Sequence, residues 1–251
     1  MRLSAFVVWR TAMNARVDLK GKRAVVTGGT RGIGFAIVRA LSDAGARVAF
    51  CGTSEKSLSE ALKNLSGREV FASVADVSNS GSVRDFFRFV DEKLGGVDIL
   101  VNNAGVGIFR KTAELSVEEW RRTVGINLDG AFFCSREALQ RMLAYGNGYI
   151  INISSLAGKN AFAGGAAYNA SKFGLNGFTE ALMLDHRHDN VRVSYIMPGS
   201  VDTEFGSGTE RAKWKIAPED VAETVLNLLA MPDRTLISCV EMRPSRPPKA
   251  Q

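Results

Sequence analysis

From residue 22 onward, short apolar runs rich in β-branched residues alternate with stretches whose apolar positions recur every three or four residues. The first pattern predicts strands, the second predicts amphipathic helices, and their alternation predicts βαβ units around a parallel sheet. Strands are expected over residues 23–27, 47–50, 69–73, 99–101, 149–153, 192–196 and 236–241. Helices are expected over 32–44, 54–65, 83–94, 116–145, 166–186 and 218–230. The fold class is therefore α/β, doubly wound, with a seven-stranded parallel sheet and helices on both faces. Two helix starts carry their own signals. Ser116 followed by Glu119 forms a capping box, and Pro218-Glu219-Asp220 puts proline and carboxylates in a first turn.

Residues 18–243 read as a single domain. Residues 1–17, with Arg2, Arg10 and Arg16 around a short apolar run and no acidic residue, read as a disordered extension. The proline-rich residues 244–251 read as an extended tail.

Composition narrows the function classes. At 45% hydrophobic and 23% charged, the chain can bury a large core and lacks the signature of disorder. The net charge of +6 is spread without a basic run, so no nucleic-acid partner is expected, and a phosphate-bearing cofactor fits the balance. No stretch has the ~18 apolar residues of a membrane span. Cys51, Cys134 and Cys239 are widely separated and lack a C-x-x-C pair. They read as buried free thiols of a reducing, cytoplasmic compartment rather than metal ligands. His186 and His188 read as surface residues at a helix end, so no metal site is expected.

Chemistry is concentrated where predicted strands end. Thr27-Gly28-Gly29-Thr30-Arg31-Gly32-Ile33-Gly34 follows the first strand and opens the first helix. Glycines there let the backbone approach a pyrophosphate whose charge rests on helix N-terminal N–H groups. Asp76 with Val77 follows the third strand, and Asn102-Asn103-Ala104-Gly105 follows the fourth, as an adenine-ribose floor would require. Tyr168 and Lys172, at i and i+4, share one helix face, where an ammonium should lower the phenol's pKa. Ser155 ends a strand and can face that phenol across the crevice, with Ser154 as the competing choice. Asn127 is a polar residue amid the apolar face of a long helix and needs a partner.

With these motifs in this order, the chain resembles the short-chain dehydrogenase/reductase family, in its single-domain branch with a Rossmann fold. The resemblance spans roughly residues 19–242 and rests on Thr27, Gly28, Gly32 and Gly34, on Asp76, on Asn102 to Gly105, on Tyr168 with Lys172, and on Pro198-Gly199. It implies a catalytic tetrad of Asn127, Ser155, Tyr168 and Lys172. In that family the tyrosine passes the proton as hydride moves to or from the nicotinamide. The lysine lowers the phenol's pKa and holds the ribose, the serine orients the carbonyl, and the asparagine backbone keeps a relay water. The implied cofactor contacts are completed by Thr30, Arg31 and Ile33 in the loop, Thr53 and Ser54 after the second strand, and Val201 and Thr203 near the nicotinamide carboxamide.

The cofactor expected is NADP(H), with NAD(H) possible, because Gly52 stands where an NAD site places an acidic residue and Arg31 can pair with a 2′-phosphate. The substrate expected is an apolar small-molecule ketone, aldehyde or alcohol, with Val106, Ile108, Phe109, Leu156, Phe162, Phe205 and Trp214 as candidate walls. The alternatives are a 3-oxoacyl-acyl-carrier-protein reductase or a non-catalytic dinucleotide-sensing module. Against the carrier-protein reductase stand the short segment 204–217 and the neutral Ala144-Tyr145-Gly146-Asn147. The resemblance also suggests a homodimer or homotetramer built on the helices over 116–145 and 166–186.

Overall fold

The strand sequences pair in one direction throughout. In the computed structural model, which describes residues 17–203, 205 and 212–248, seven parallel strands lie in the order β3-β2-β1-β4-β5-β6-β7. They are β1 (Arg23–Val26), β2 (Arg47–Gly52), β3 (Val70–Val74), β4 (Ile99–Asn102), β5 (Gly148–Ile153), β6 (Val191–Pro198) and β7 (Cys239–Met242). The helices are α1 (Gly32–Asp43), α2 (Glu55–Asn64), α3 (Ser80–Leu94), α4 (Val117–Val124), α5 (Gly130–Tyr145), α6 (Ala166–His186) and α7 (Pro218–Leu229). The extension expected over residues 1–17 lies outside the described residues, save Val17. The end of the tail and half of segment 204–217 lie outside them too. Among the described residues no helix is long and apolar enough to cross a membrane, and no cluster suits a metal ion.

Strand alternation divides the core. Ala24, Val26, Val48, Phe50 and Ile151 join Ile37, Leu41, Leu58 and Val225 on the face covered by α1, α2 and α7. Val25, Ala49, Leu100 and Ile150 join Phe86, Phe87, Met142 and Leu182 on the face covered by α3, α5 and α6. Strands buried on both faces are what near-continuous apolar runs require. Because β2 and β4 flank β1 on opposite sides, the order reverses there, which opens a crevice beyond the carboxyl ends of β1 and β4.

Several expectations shift. The helix expected over 116–145 is interrupted by a π-helical turn at Gly125–Asp129. Gly125 and Gly130 bracket that turn, and Gly130 packs so closely that a Cβ would stand 2.8 Å from Val77 Cγ2. The third helix starts at Ser80 rather than 83, because the Asn79 side chain caps it by accepting from Ser82 N at 2.9 Å. The last strand starts at Cys239 rather than 236, in register with Tyr195 of β6. Cys239 is only partly buried, unlike Cys51 and Cys134. The Ser116–Glu119 box forms, with both hydrogen bonds at 3.1 Å.

An ion pair ties the start of β1 to the turn before β4. Arg23 donates from Nε and Nη2 to the Asp98 carboxylate at 2.9 Å, and its main-chain N–H donates at 2.8 Å. Burial alone would push the Asp98 carboxyl up, but the bonds and charge of Arg23 outweigh it and hold it below the usual range. A lowered carboxyl pKa contributes stability that is present above about pH 4 and is lost as pH falls through the folded value. Asp98→Asn should therefore cost about 2 kcal/mol at pH 7, a fall in melting temperature of about 4–8 °C. The difference from wild type should shrink as the pH is taken toward 3. Equal melting temperatures at pH 7 would refute the assignment.

Candidate active site

The turn after β1 is shaped by what cannot fit there. Gly28 has φ +66°, and a Cβ on it would meet Ala104 Cα at 2.9 Å; one on Gly34 would meet the Gly28 carbonyl oxygen at 2.1 Å. Asn103 clasps the turn from β4, its Nδ2 donating to the carbonyls of Thr27 and Gly28 at 3.0 and 3.1 Å. The Thr27 hydroxyl accepts from the main-chain N–H groups of Asn103 and Ala104, both at 3.0 Å. Such a bare turn at the start of α1 is a cradle for a pyrophosphate. The Thr203 methyl stands 3.3 Å from where a Gly32 Cβ would be, so the loop after β6 closes one side of it. That loop is anchored by Gly199 N donating to the Met242 carbonyl at 2.8 Å and by a bridge from Val201 to Ile216. Pro198 is the last residue of β6, and Ile33 is half-buried in α1.

The side where the adenosine is expected is more open. Arg31 is the exposed, extended residue before α1. Thr53 is exposed, and the Ser54 hydroxyl caps α2 by accepting from Ser57 N at 3.4 Å. Thr30 fills the space beside Gly52, where a Cβ would stand 2.5 Å from its Cγ2. Asp76 Oδ1 accepts from the N–H and hydroxyl of Ser78, at 2.9 and 2.7 Å, in an Asx-turn, while Val77 is buried. Asp76 borders a groove of about 540 Å³ with Ser73, Val74, Asn79 and Ser82, which none of the residues around Tyr168 lines.

The four residues of the expected tetrad converge. Tyr168, Ser171, Lys172, Leu175, Thr179 and Leu182 recur at helical spacing and form the buried stripe of α6, so packing fixes the pair's rotation. Lys172 Nζ donates to the Ile153 carbonyl at 2.9 Å, and burial pushes the amine down to about 8. The Tyr168 phenol is pushed up by burial, and only a hydrogen bond with the Ser155 hydroxyl works against this. The expectation that the ammonium lowers the phenol is thus not met in this state of the chain. Nζ stands 5.8 Å from the tyrosine ring centre, and its own charge is disfavoured by burial. Ser154 points elsewhere, its Oγ donating to Asn176 Oδ1 at 2.5 Å, which leaves Ser155 facing the phenol.

Asn127 sits in the π turn and has its partners. Its Oδ1 accepts from Val106 N at 2.8 Å, and its Nδ2 donates to the Val106 carbonyl and to Ser171 Oγ at 2.9 and 3.0 Å. Ser171 in turn donates to the Tyr168 carbonyl at 2.8 Å, joining the turn to α6. Ser171 is not among the expected site residues, although a small polar residue on the apolar stripe of a helix is its signal. A Cβ on Gly105 would stand 3.4 Å from Asn127 Oδ1 and 4.0 Å from Lys172 Nζ, so the Asn102–Gly105 motif also borders the lysine.

Lys172 gives this geometry a measurable consequence. With an amine near 8 in the fold and its ordinary 10.5 when unfolded, the folded chain binds fewer protons between those values. Its stability is therefore most penalised below about pH 8 and recovers by up to about 3 kcal/mol as pH rises through the window. Lys172→Met should lack that increment. Denaturant titrations of both proteins at pH 7.5 and 10.5 test it, and parallel pH profiles would count against a buried, depressed amine.

Comparison with known proteins identifies the family. The short chain dehydrogenase family model matches residues 22–214. An uncharacterized oxidoreductase of Staphylococcus saprophyticus is 34% identical over 232 residues, 91% of this chain and 99% of that protein. Among solved structures, an alcohol dehydrogenase from the archaeon Thermococcus sibiricus, complexed with 5-hydroxy-NADP, superposes with a TM-score of 0.84 at 32% identity, covering 91% of this chain and 99% of its own. A metagenomic short-chain oxidoreductase in complex with NADP superposes with a TM-score of 0.81 at 38% identity and the same coverage. The chain belongs to the short-chain dehydrogenase family.

Proposed function

We propose that this oxidoreductase interconverts a ketone or aldehyde with an alcohol, using NADP(H) and Tyr168 as the acid/base. The observation that carries the reading is the meeting of Tyr168, Ser155, Lys172 and Asn127 beside a glycine turn that no side chain could share. When bound, the nicotinamide supplies or accepts the hydride. Gly28, Gly32 and Gly34 leave room for the pyrophosphate, and Asn103, Ala104, Val201 and Thr203 wall the space around it. Asp76, Val77, Thr53 and Ser54 border the adenosine end. Tyr168 gives its phenolic proton to the carbonyl oxygen in reduction and takes it back in oxidation. Ser155 orients that oxygen by a hydrogen bond, and Lys172 replaces the proton, with Asn127 setting the position of the π turn beside it. Because burial holds the phenol protonated at neutral pH, reduction should be the faster direction there, and oxidation should gain as pH rises.

The preference for NADP(H) is supported by the absence of a carboxylate at Gly52, by Arg31 at the entrance of α1, and by the 5-hydroxy-NADP and NADP found in the two similar structures. Gly52→Asp is a poor probe of it, since the new side chain would collide with Thr30. The carrier-protein alternative finds no support at Arg141, whose guanidinium is already held by Asp91 and Glu137. Outward apolar side chains on α4, α5 and α6, among them Val117, Trp120, Phe132, Phe173 and Leu184, favour association of copies through these helices. A monomeric mass by light scattering would refute that.

One kinetic series tests the core of the reading. Tyr168→Phe should lower kcat by about 10³-fold or more while NADPH still binds, because only the transferable proton is removed. Arg31→Ala should weaken NADPH by about 10- to 100-fold, the scale of a charge-assisted contact, with little effect on NADH. Substantial activity in Tyr168→Phe would sink the acid/base role. Wild-type kcat/KM for NADH equal to or above that for NADPH would sink the cofactor assignment.

A further inference from the structure

The rings around the Tyr168 phenol bear on which carbonyl compounds the site admits, an inference that rests on the carbonyl chemistry proposed above. Phe109 stands edge-on to Tyr168, with ring centres 5.6 Å apart and an interplanar angle of 83°. Phe205 lies against the same tyrosine at 5.7 Å and 54°, and Phe162 packs on Phe109 at 5.6 Å. The three phenylalanines come from three segments of the chain: after β4, before α6 and after β6. All keep between 40% and 45% of their surface exposed. Three half-exposed rings gathered at one reactive phenol leave apolar area that a ligand can cover.

Gly107 reveals how the rings are arranged. A Cβ there would stand 2.6 Å from Phe205 Cε1 and 2.8 Å from Phe109 Cζ, so the edges of both rings lie over a residue with no side chain. Its backbone is not in the left-handed region, so conformation does not demand glycine here. The missing side chain serves the approach of the rings instead.

We propose that Phe109, Phe162 and Phe205 form an aryl slot over Tyr168, so that the physiological substrate carries a flat aromatic group next to its reacting carbonyl or carbinol. A planar ring inserts between Phe109 and Phe205 and keeps the edge-to-face and tilted contacts that the rings now make with Tyr168. A saturated ring of the same carbon count is thicker, has no quadrupole, and has to spread the two phenylalanines. Conjugation makes an aryl ketone the less electrophilic of the two, so a preference for it has to arise from the site.

The test compares acetophenone with cyclohexyl methyl ketone, each with NADPH, by kcat/KM. Wild type should favour the aryl ketone by about tenfold, the scale of one or two aromatic pairs. Phe109→Leu should bring the ratio near one, and Phe109→Tyr, which keeps the ring, should restore it. Gly107→Ala should depress turnover of the aryl ketone by forcing the rings apart, with an unchanged circular-dichroism spectrum. A saturated ketone reduced as well as the aryl one, or a ratio unmoved by Phe109→Leu, overturns the slot and leaves carbonyl reduction standing. If neither these nor simple aliphatic ketones are reduced while NADPH binding is seen by fluorescence, the carbonyl reading fails and the slot falls with it.

Discussion

The buried amine of Lys172 is the constraint on which the rest of the site depends. Withdrawing an ammonium from water costs several kcal/mol unless partners replace the solvent, and here the Ile153 carbonyl is its hydrogen-bond acceptor. The fold tolerates that cost because the helix bearing the lysine cannot turn. Rotating α6 to hydrate Nζ would expose Leu175 and Leu182, which lie on the same stripe, and would break the Thr179 contact to Asn152 at 2.8 Å. The pairing of Asn127 with Ser171 fixes the same helix from the other side, so the packing that stabilises the domain also sets the direction of Tyr168.

A second polar network lies one layer deeper. Asn102 Nδ2 donates to Asn152 Oδ1 at 2.8 Å and to Ser135 Oγ at 3.0 Å, linking the ends of β4 and β5 to α5. Asn102 Oδ1 has no partner among the described residues. The network's position explains why asparagines stand at the ends of two central strands where apolar residues would pack better. They join neighbouring strands by side chains just where the ladder stops, and the crevice begins beyond them.

Elements with strong periodicity were legible in the sequence. β1, β5 and α6 follow from runs such as Ile150-Ile151 and from the spacing of Tyr168, Lys172, Leu175 and Leu182. The facing of Ser155 and Tyr168 was legible too, because strand ends and first helical turns face one crevice in this architecture, whereas Asn127 joined them only through the family resemblance. The π turn at Gly125–Asp129 was not, since one extra residue in a helix leaves the apolar period on either side unchanged. Nor was the collision awaiting a side chain at Gly52, which depends on where Thr30 sits across two loops. The phenol's pKa direction was not legible either: spacing reveals that an amine is near, but not that burial of the phenol itself raises it.

That last point explains how binding and proton transfer can be linked. Burial moves the two groups in opposite directions, raising the phenol and lowering the amine. A primary ammonium has three donors, and the Ile153 carbonyl takes one. A ligand hydroxyl that accepts another stabilises the charged amine and raises its pKa. A charged amine near the tyrosine ring favours the phenolate, so such a contact and the phenol's ionisation are coupled in sign. With the site open, the same burial keeps the proton in place.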